Sequence, residues 1–427
     1  MIATSVVGTD LDVQTLLRVD NDLKDFVDGI SESLRRKGWQ ERCFCYLTGL
    51  MLDGRRKPVQ PMAQRLDEPN EQSLQHFVAN TPWDPAPVRR QLAHRMQQVI
   101  DPSAWVFDDT GFVKDGRMSP CVARQYTGTV GKVTNAQVAT TLHLATDEAS
   151  CPVNWRLFMP ESWDPASGKA SADVAARRAA AGIPNGEHHQ PKWQLALECA
   201  DEALGWGLPA PAVAVADAGY GDAAEFRHGL SARGIAYAVQ VSSPLAVLPA
   251  TATRTTPPYH GRGRPPKPRY ETPARSVKEH IMAPGAKRAV QITWRTGSKQ
   301  RHGELQPMTS RFVFSRVLQA DEGTRSLYPG QDLPECWLIA QWPTGQAEPT
   351  RYWLCTLPSN TRKTQLIRAC KQRWRVEHDY RELKTGLGLD HYEGRKWAGW
   401  HHHVTLVAAA HGFLTWLRHR PKAPAPD

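Results

Sequence analysis

The first hundred residues set apolar side chains three and four apart, the spacing that turns one helix face toward a core. The clearest cases are DVQTLLRVDNDLKDFVDGISESLRRKG, ending at Gly38, and PAPVRRQLAHRMQQVI, opened by Pro85. Proline fits a first helical turn and glycine ends a last one. The pattern then changes. AWVFDDTG, QVATTLHLA and PVNWRLFMP are β-prone runs separated by Gly, Asn and Asp, and predict a three-stranded meander. An amphipathic helix, PKWQLALECADEALGWG, follows. PAVAVADAGYGD comes next, with the short continuous apolar run of a strand buried on both faces. A helix in AAEFRHGLSARG and a strand in IAYAVQVS continue the alternation. Strand–helix–strand order after a meander predicts an α/β fold, a mixed sheet with flanking helices.

Beyond residue 246 prolines and basic residues interrupt short β-prone runs such as AVQITWRT and RFVFSRV. This stretch reads as a separate β-rich insertion, with CWLIAQW and RYWLCTL as strands at its exit. A long helix is expected from near Thr361 to Lys384, stopped by TGLGL, and a last apolar helix in HHHVTLVAAAHGFLTWLRH. The expected divisions are a helical N-terminal domain at 1–100, a first core segment at 101–245 and the insertion at 246–350. A second core segment follows at 351–420 and a disordered tail at 421–427.

Composition adds a direction. The chain has 427 residues, 41% of them hydrophobic and 22% charged, an ordinary globular profile. No apolar run reaches the ~20 residues of a membrane span, and the N-terminus lacks a basic region before an apolar one. The expectation is a cytoplasmic, nucleoid-associated protein with no membrane partner. Eight scattered cysteines, with Cys43 and Cys45 wrongly spaced for a zinc knuckle, read as reduced thiols. The net charge of +10 divides into −5 over residues 1–250 and +15 over residues 251–427. A basic second half suits a polyanion, and nucleic acid is the usual one.

Acids at three places stand out. Asp108 and Asp109 close an apolar run at the mouth of its strand, where an Asp before Thr and Gly either caps a turn or holds a metal. Asp217 sits likewise where a strand gives way to a turn with Gly219 and Gly221, glycines that permit positive φ and close approach of a ligand. On the long helix Arg373, Glu377, Tyr380 and Lys384 fall at i, i+4, i+7 and i+11, one stripe. Arg368, Lys371, Arg375, Asp379 and Glu382 then make the opposite, solvated face. Glu377 is expected to lean toward the protein between two cations, as a buried carboxylate requires partners. It then either joins an ion-pair cluster or meets Asp109 and Asp217. Three convergent carboxylates suit Mg²⁺. Two such ions roughly 3.5–4 Å apart activate an attacking oxygen and stabilise the leaving one.

FDDTGF, ADAGYGD and RWRVEHDYRELK together resemble the DDE transposases of bacterial insertion sequences. The nearest likeness is to the branch whose third acid lies in a Tyr-x2-Arg-x3-Glu-x6-Lys signature. The resemblance spans about residues 100–415. It implies an RNase-H-like core, with a helical N-terminal domain before it and the β-rich insertion between the second and third acids. It also implies Asp109, Asp217 and Glu377 as catalytic, metal-holding residues, with two Mg²⁺ ions, Mn²⁺ serving as an alternative. Arg373 and Lys384 fall on the signature's basic positions, for DNA contact. Cys370 replaces the signature tyrosine, which Tyr380 on the same stripe is positioned to substitute. Asp108 is left to cap the turn or support the ligand.

Other stretches bear on DNA. GRGRPPKPR carries Arg262 and Arg264 in an Arg-Gly-Arg-Pro core that looks like an AT-hook. It is either a minor-groove binder or a basic loop making phosphate contacts. His401–His403 read as solvated or DNA-facing, and Trp294 as the tryptophan to stack on an extruded base. The function expected is DNA cleavage at element ends and strand transfer into target duplex, by a homodimer assembled on DNA. The alternatives are a two-metal nuclease that cannot join ends and a domesticated DNA-binding regulator. A glycosidase with paired carboxylates leaves the +15 half unexplained.

Overall fold

The computed structural model describes residues 13–419 apart from 53, 55–56, 67–69, 262–263, 265 and 302–303. Arg262 and the tail expected to be disordered lie outside the described residues. The chain forms two compact units. One comprises Met1–Pro102, Asp108–Pro209 and Trp374–Asp427; the other comprises Ser103–Phe107 and Ala210–Arg373.

The first unit opens with α1 (Val13–Ser31), α2 (Lys37–Met51), α3 (Val59–Ala63), α4 (Glu71–Ala79) and α5 (Pro85–Ile100). Asn70 and Asp84 cap α4 and α5, each accepting a backbone N–H two residues on, worth about 1 kcal/mol apiece. The first helix stops at Ser31, short of the expected Gly38. Leu34 is buried and its N–H closes a turn onto the Ser31 carbonyl, so Gly38 falls in the first turn of α2 instead. β1 (Ala104–Val113), β2 (Ala123–Thr127), β3 (Lys132–Ala145) and β4 (Ser150–Leu157) follow, then α6 (Val174–Ala181) and α7 (Lys192–Gly205). β3 is the centre of this sheet, antiparallel to β2 and β4 and bordering β1. β1 does not end at its acids. It continues past them to Val113.

The second unit takes the first residues of β1 and pairs them in parallel with β5 (Val213–Ala216), from Ala104 with Val213 to Phe107 with Ala216. All eight paired residues are buried, which explains why both runs are apolar without alternation. Next come α8 (Ala218–Gly221), α9 (Ala224–Ala232) and β6 (Tyr237–Val241), the last parallel to β5. β7 (Ala246–Pro249), β8 (Arg254–Thr255), β9 (Arg269–Tyr270), β10 (Arg275–Ser276) and α10 (Val277–Met282) lead to the hairpin of β11 (Val290–Arg301) and β12 (Glu304–Gln319). α11 (Glu322–Leu327), β13 (Glu335–Gln341), β14 (Arg351–Cys355) and α12 (Lys363–Lys371) complete the unit. Its strand order is β10-β7-β12-β13-β14-β6-β5-β1, with β11 on β12. Residues 246–350 are thus β-rich, but their long strands continue the sheet of β14, β6 and β5 and do not form one of their own.

The chain returns to the first unit with α13 (Trp374–Arg381), a π-helical turn at Glu382–Gly386 and α14 (Trp397–His419). The single helix expected from Thr361 to Lys384 is broken at Gln372–Arg373. Gln372 is buried, its N–H bonds to the Ala369 carbonyl, and its side chain donates to Ser103 Oγ at 3.2 Å. α14 is buried on nearly every side from Gly399 to Phe413, a core helix. All eight cysteines are free thiols. No helix among the described residues is long and apolar enough to cross a membrane.

Gly219 and Gly221 do not use the positive φ that glycine permits. Gly221 serves packing: a Cβ there would lie 2.0 Å from the Gln240 carbonyl oxygen on β6. Replacing Gly221 with Ala should therefore cost about 1–3 kcal/mol or more, since backbone must shift. Urea denaturation of the two proteins measures this, and an unchanged midpoint would show that β6 yields freely.

Candidate active site

Asp108 and Asp109 are neighbours that point to opposite faces of β1. Asp108 is buried, and its Oδ1 accepts the N–H of Asp109 at 2.8 Å. Asp109 is partly exposed, with Oδ2 2.5 Å from Nζ of Lys192, the first residue of α7. On β3, the Thr141 hydroxyl donates to the Asp108 carbonyl at 3.2 Å and lies 2.5 Å from the Tyr380 hydroxyl. Lys384 Nζ donates to the Gly111 carbonyl and to Thr129 Oγ1, each at 2.8 Å. Burial pulls the Lys384 ammonium down to about 8, against the opposing pull of Asp390 and Asp109.

Asp217 follows β5 and caps α8, its Oδ1 accepting the Gly219 N–H at 2.9 Å. Arg373 Nη2 lies 3.7 Å from Asp217 Oδ2, both side chains about a third exposed. Arg373 stands in the break before α13, so it does not share one helical stripe with Glu377, Tyr380 and Lys384 as expected.

The break also resets which side of the helix is buried. Val376, Asp379 and Leu383 form the inward line of α13 and its π turn, while Glu377 is exposed. The expectations for Glu377 and Asp379 are thereby reversed. Asp379 sits on an anchor made by three other elements. His143 Nδ1 on β3 lies 2.9 Å from its Oδ2, and Ser150 on β4 donates to its Oδ1 at 2.6 Å. His411 Nε2 on α14 is 3.8 Å away. Burial alone would raise the Asp379 pKa; the His143 hydrogen bond and the neighbouring histidines outweigh it and hold the carboxyl below its usual range. Burial also lowers His143, which suits a neutral imidazole donating from Nδ1. Glu382, from the face expected to be solvated, lies 3.3 Å from His411 and accepts from Arg418 at 2.9 Å. Burial opposes ionisation there too, but these partners bring Glu382 to about 2. None of His143, Ser150 and His411 was singled out from sequence. The available signal was a histidine in the middle of β3's apolar run.

Other expected roles fare differently. His402 bonds to the Val78 and Trp83 carbonyls and His403 to the Tyr46 hydroxyl, so both are core residues and not solvated ones. Trp294 is buried edge-on against Phe312, leaving no face for a base. Cys370 is buried, so it cannot take over a phosphate contact from the signature tyrosine. The Tyr380 hydroxyl is engaged with Thr141. Arg264 is exposed.

Within either unit, among the described residues, no three His, Cys, Asp or Glu side chains group closely enough to hold a metal together. The candidate donors are carboxylates alone, the oxygen set that suits Mg²⁺ or Mn²⁺ over softer ions. Lys192 and Arg373 supply the positive charge beside Asp109 and Asp217.

Comparison with known proteins adds three findings. A family described as "DDE superfamily endonuclease" matches residues 25–301, and one described as "Transposase DDE domain" matches residues 193–413. Over 120 residues the chain is 32% identical to a protein of Microchaete diplosiphon named "Probable transposase for insertion sequence element IS701". That match covers 27% of this chain and 32% of the relative, so the chain spans about a third of that relative's length.

The anchor under α13 gives a direct expectation. Asp379→Ala removes the acceptor of both the His143 imidazole and the Ser150 hydroxyl and should destabilise the fold by about 1–3 kcal/mol. Guanidinium denaturation checks it. A loss below about 0.5 kcal/mol, the level of an ordinary surface change, would remove the anchor from the account.

Proposed function

The chain belongs to the DDE superfamily of endonucleases and carries a transposase DDE domain, and from that premise we propose that it is an insertion-sequence transposase. It cleaves DNA at element ends and joins the freed 3′-hydroxyl to target duplex. Asp109, Asp217 and Glu377 are its catalytic, metal-holding acids. The supporting observation is the parallel register of β1 and β5, which ends at Phe107 with Ala216. The chain runs on directly into Asp108–Asp109 on one strand and Asp217 on the other. In open α/β sheets the carboxyl ends of strands are where sites collect.

Two Mg²⁺ or Mn²⁺ ions, when bound, would supply Lewis-acid stabilisation of the attacking and leaving oxygens. The chain's own residues do the rest. Arg373 and Lys384 hold backbone phosphates beside the reacting bond, and Lys192 balances the Asp109 charge in the free protein. Asp108 spends its carboxylate on the Asp109 backbone and so orients its neighbour. Placement in the Tyr-Arg-Glu-Lys branch rests on Arg373, Glu377 and Lys384 at the signature spacing, with Cys370 as the departure. Tyr380 reaches a phosphate only on releasing Thr141. Residues 251–300, at +9, supply further phosphate contacts, Arg262 and Arg264 among them. Assembly as a homodimer on DNA completes the reading.

Asp109→Asn, Asp217→Asn and Glu377→Gln should each abolish metal-dependent cleavage while end binding persists. Gel assays on labelled element ends, with strand-transfer products scored separately, measure both. Normal cleavage by any one variant removes that residue from the site, and cleavage without joined products supports the nuclease alternative. Asp108→Asn should be much milder.

Lys384 adds a pH test. Its charged form dominates below about pH 8, so phosphate holding in the free enzyme should weaken as pH rises through that value. kcat/KM should fall on the same limb, since it reports free-enzyme ionisations. Lys384→Arg should remove the limb, because a guanidinium stays charged. The same limb in both proteins would assign it to another group.

A further inference from the structure

The hairpin of β2 and β3 carries a surface that the chemistry above leaves unused. Tyr126 is 62% exposed, and Val133, its partner across the hairpin, is 53% exposed. Val130 in the connecting turn is exposed as well. The pleat puts Arg124 on the same face as Tyr126, opposite Asn135. Residues 123–135 hold two basic side chains, Arg124 and Lys132, and no acid.

This hairpin is fixed to the strand that carries Asp109. The Gly111 N–H donates to Thr129 Oγ1 at 3.1 Å, and Lys384 bridges Thr129 and the Gly111 carbonyl. Thr127 fills the space a side chain at 111 would need: a Cβ there would lie 1.8 Å from its Oγ1. The exposed face thus stands on a rigid mount two residues along β1 from Asp109.

An aromatic ring with an apolar neighbour in water is costly unless something covers it. A ring and a guanidinium two residues apart on a strand match a base and its phosphate, the combination that binds single-stranded nucleic acid. A second copy of this chain fits worse, since two hairpins bearing only positive charge repel. We propose that the exposed face of the β2–β3 hairpin is a platform for an unpaired nucleotide, stacking its base on Tyr126 against Val133 and holding its phosphate with Arg124. The inference rests on the reading of the chain as a DNA-acting enzyme.

The test uses the full-length protein without divalent metal, so that catalysis plays no part. The probes are a single-stranded oligonucleotide carrying 2-aminopurine and a blunt duplex of the same sequence. Single-strand binding by the native protein should change 2-aminopurine fluorescence. Tyr126→Ala should weaken it by about five- to 150-fold, the range of one base–aromatic stack, while Tyr126→Trp retains it. Arg124→Ala should flatten the salt slope by about 0.7. Blunt-duplex affinity should change little in the Tyr126 variants. Equal single-strand binding by Tyr126→Ala overturns the platform, as does a change in self-association, read by light scattering, with unchanged nucleotide binding. If the native protein binds neither probe, the DNA-acting reading falls along with it. If it binds duplex while Tyr126→Ala leaves single-strand binding intact, only the platform falls.

Discussion

The short parallel pairing of β1 with β5 is the constraint from which the candidate site follows. Ala104, Trp105, Val106 and Phe107 on one strand and Val213 to Ala216 on the other are all buried. A charge within either run would be desolvated without a partner, at several kcal/mol. The first positions at which a carboxylate is tolerable are those just past the pairing. Parallel strands leave their pairing at the same end, and in sequence each run is followed there by an acid. Hydrophobic patterning thus accounts for each acid standing just past a buried run.

Two adjacent acids in one strand look mutually destabilising, and the geometry removes most of the conflict. Strand alternation sends Asp108 inward and Asp109 outward. Asp108 meets a backbone N–H and Asp109 meets an ammonium. Asp108 commits one carboxylate oxygen to the backbone of its neighbour and so stiffens the segment that presents Asp109. That division gives the two neighbouring acids different surroundings, a backbone N–H for Asp108 and an ammonium for Asp109.

Elements whose cause is local were legible in the sequence. α5 begins at its proline behind an Asp cap, and β5 matches its apolar run. The failures share a different cause. At the break Gln372 is buried and bonds to Ser103, 269 residues earlier, and no helical periodicity carries that information. The consecutive histidines His401–His403 of α14 looked solvated because neighbouring residues fan around a helix, but this helix is enclosed on nearly every side. The strands of residues 246–350 were legible as strands; their joining of β14, β6 and β5 was not, because edge pairing is decided by partners far along the chain. For the acids, Asp217 follows the end of β5 as its apolar run suggests, whereas Asp109 lies within β1, which continues to Val113. Glu377 could not be oriented until the break fixed the phase of α13.

That phase is what the Asp379 anchor controls. A buried carboxylate is seldom the most stabilising choice, and an apolar residue of similar volume at 379 would pack at least as well. Apolar packing, however, resists rotation of a helix only weakly, since one hydrophobic contact exchanges for another. Asp379 receives His143 from β3 and Ser150 from β4 on its two separate oxygens, and two hydrogen bonds from different strands fix both rotation and slide. Glu382, one turn on, binds His411 and Arg418 of α14 and holds the π turn from the other side. With the inward line pinned at both ends, Glu377 has no freedom to turn into the core, where its charge would be unpaired. The polar interior under α13 thus fixes the phase of the helix, with Asp379 inward and Glu377 exposed.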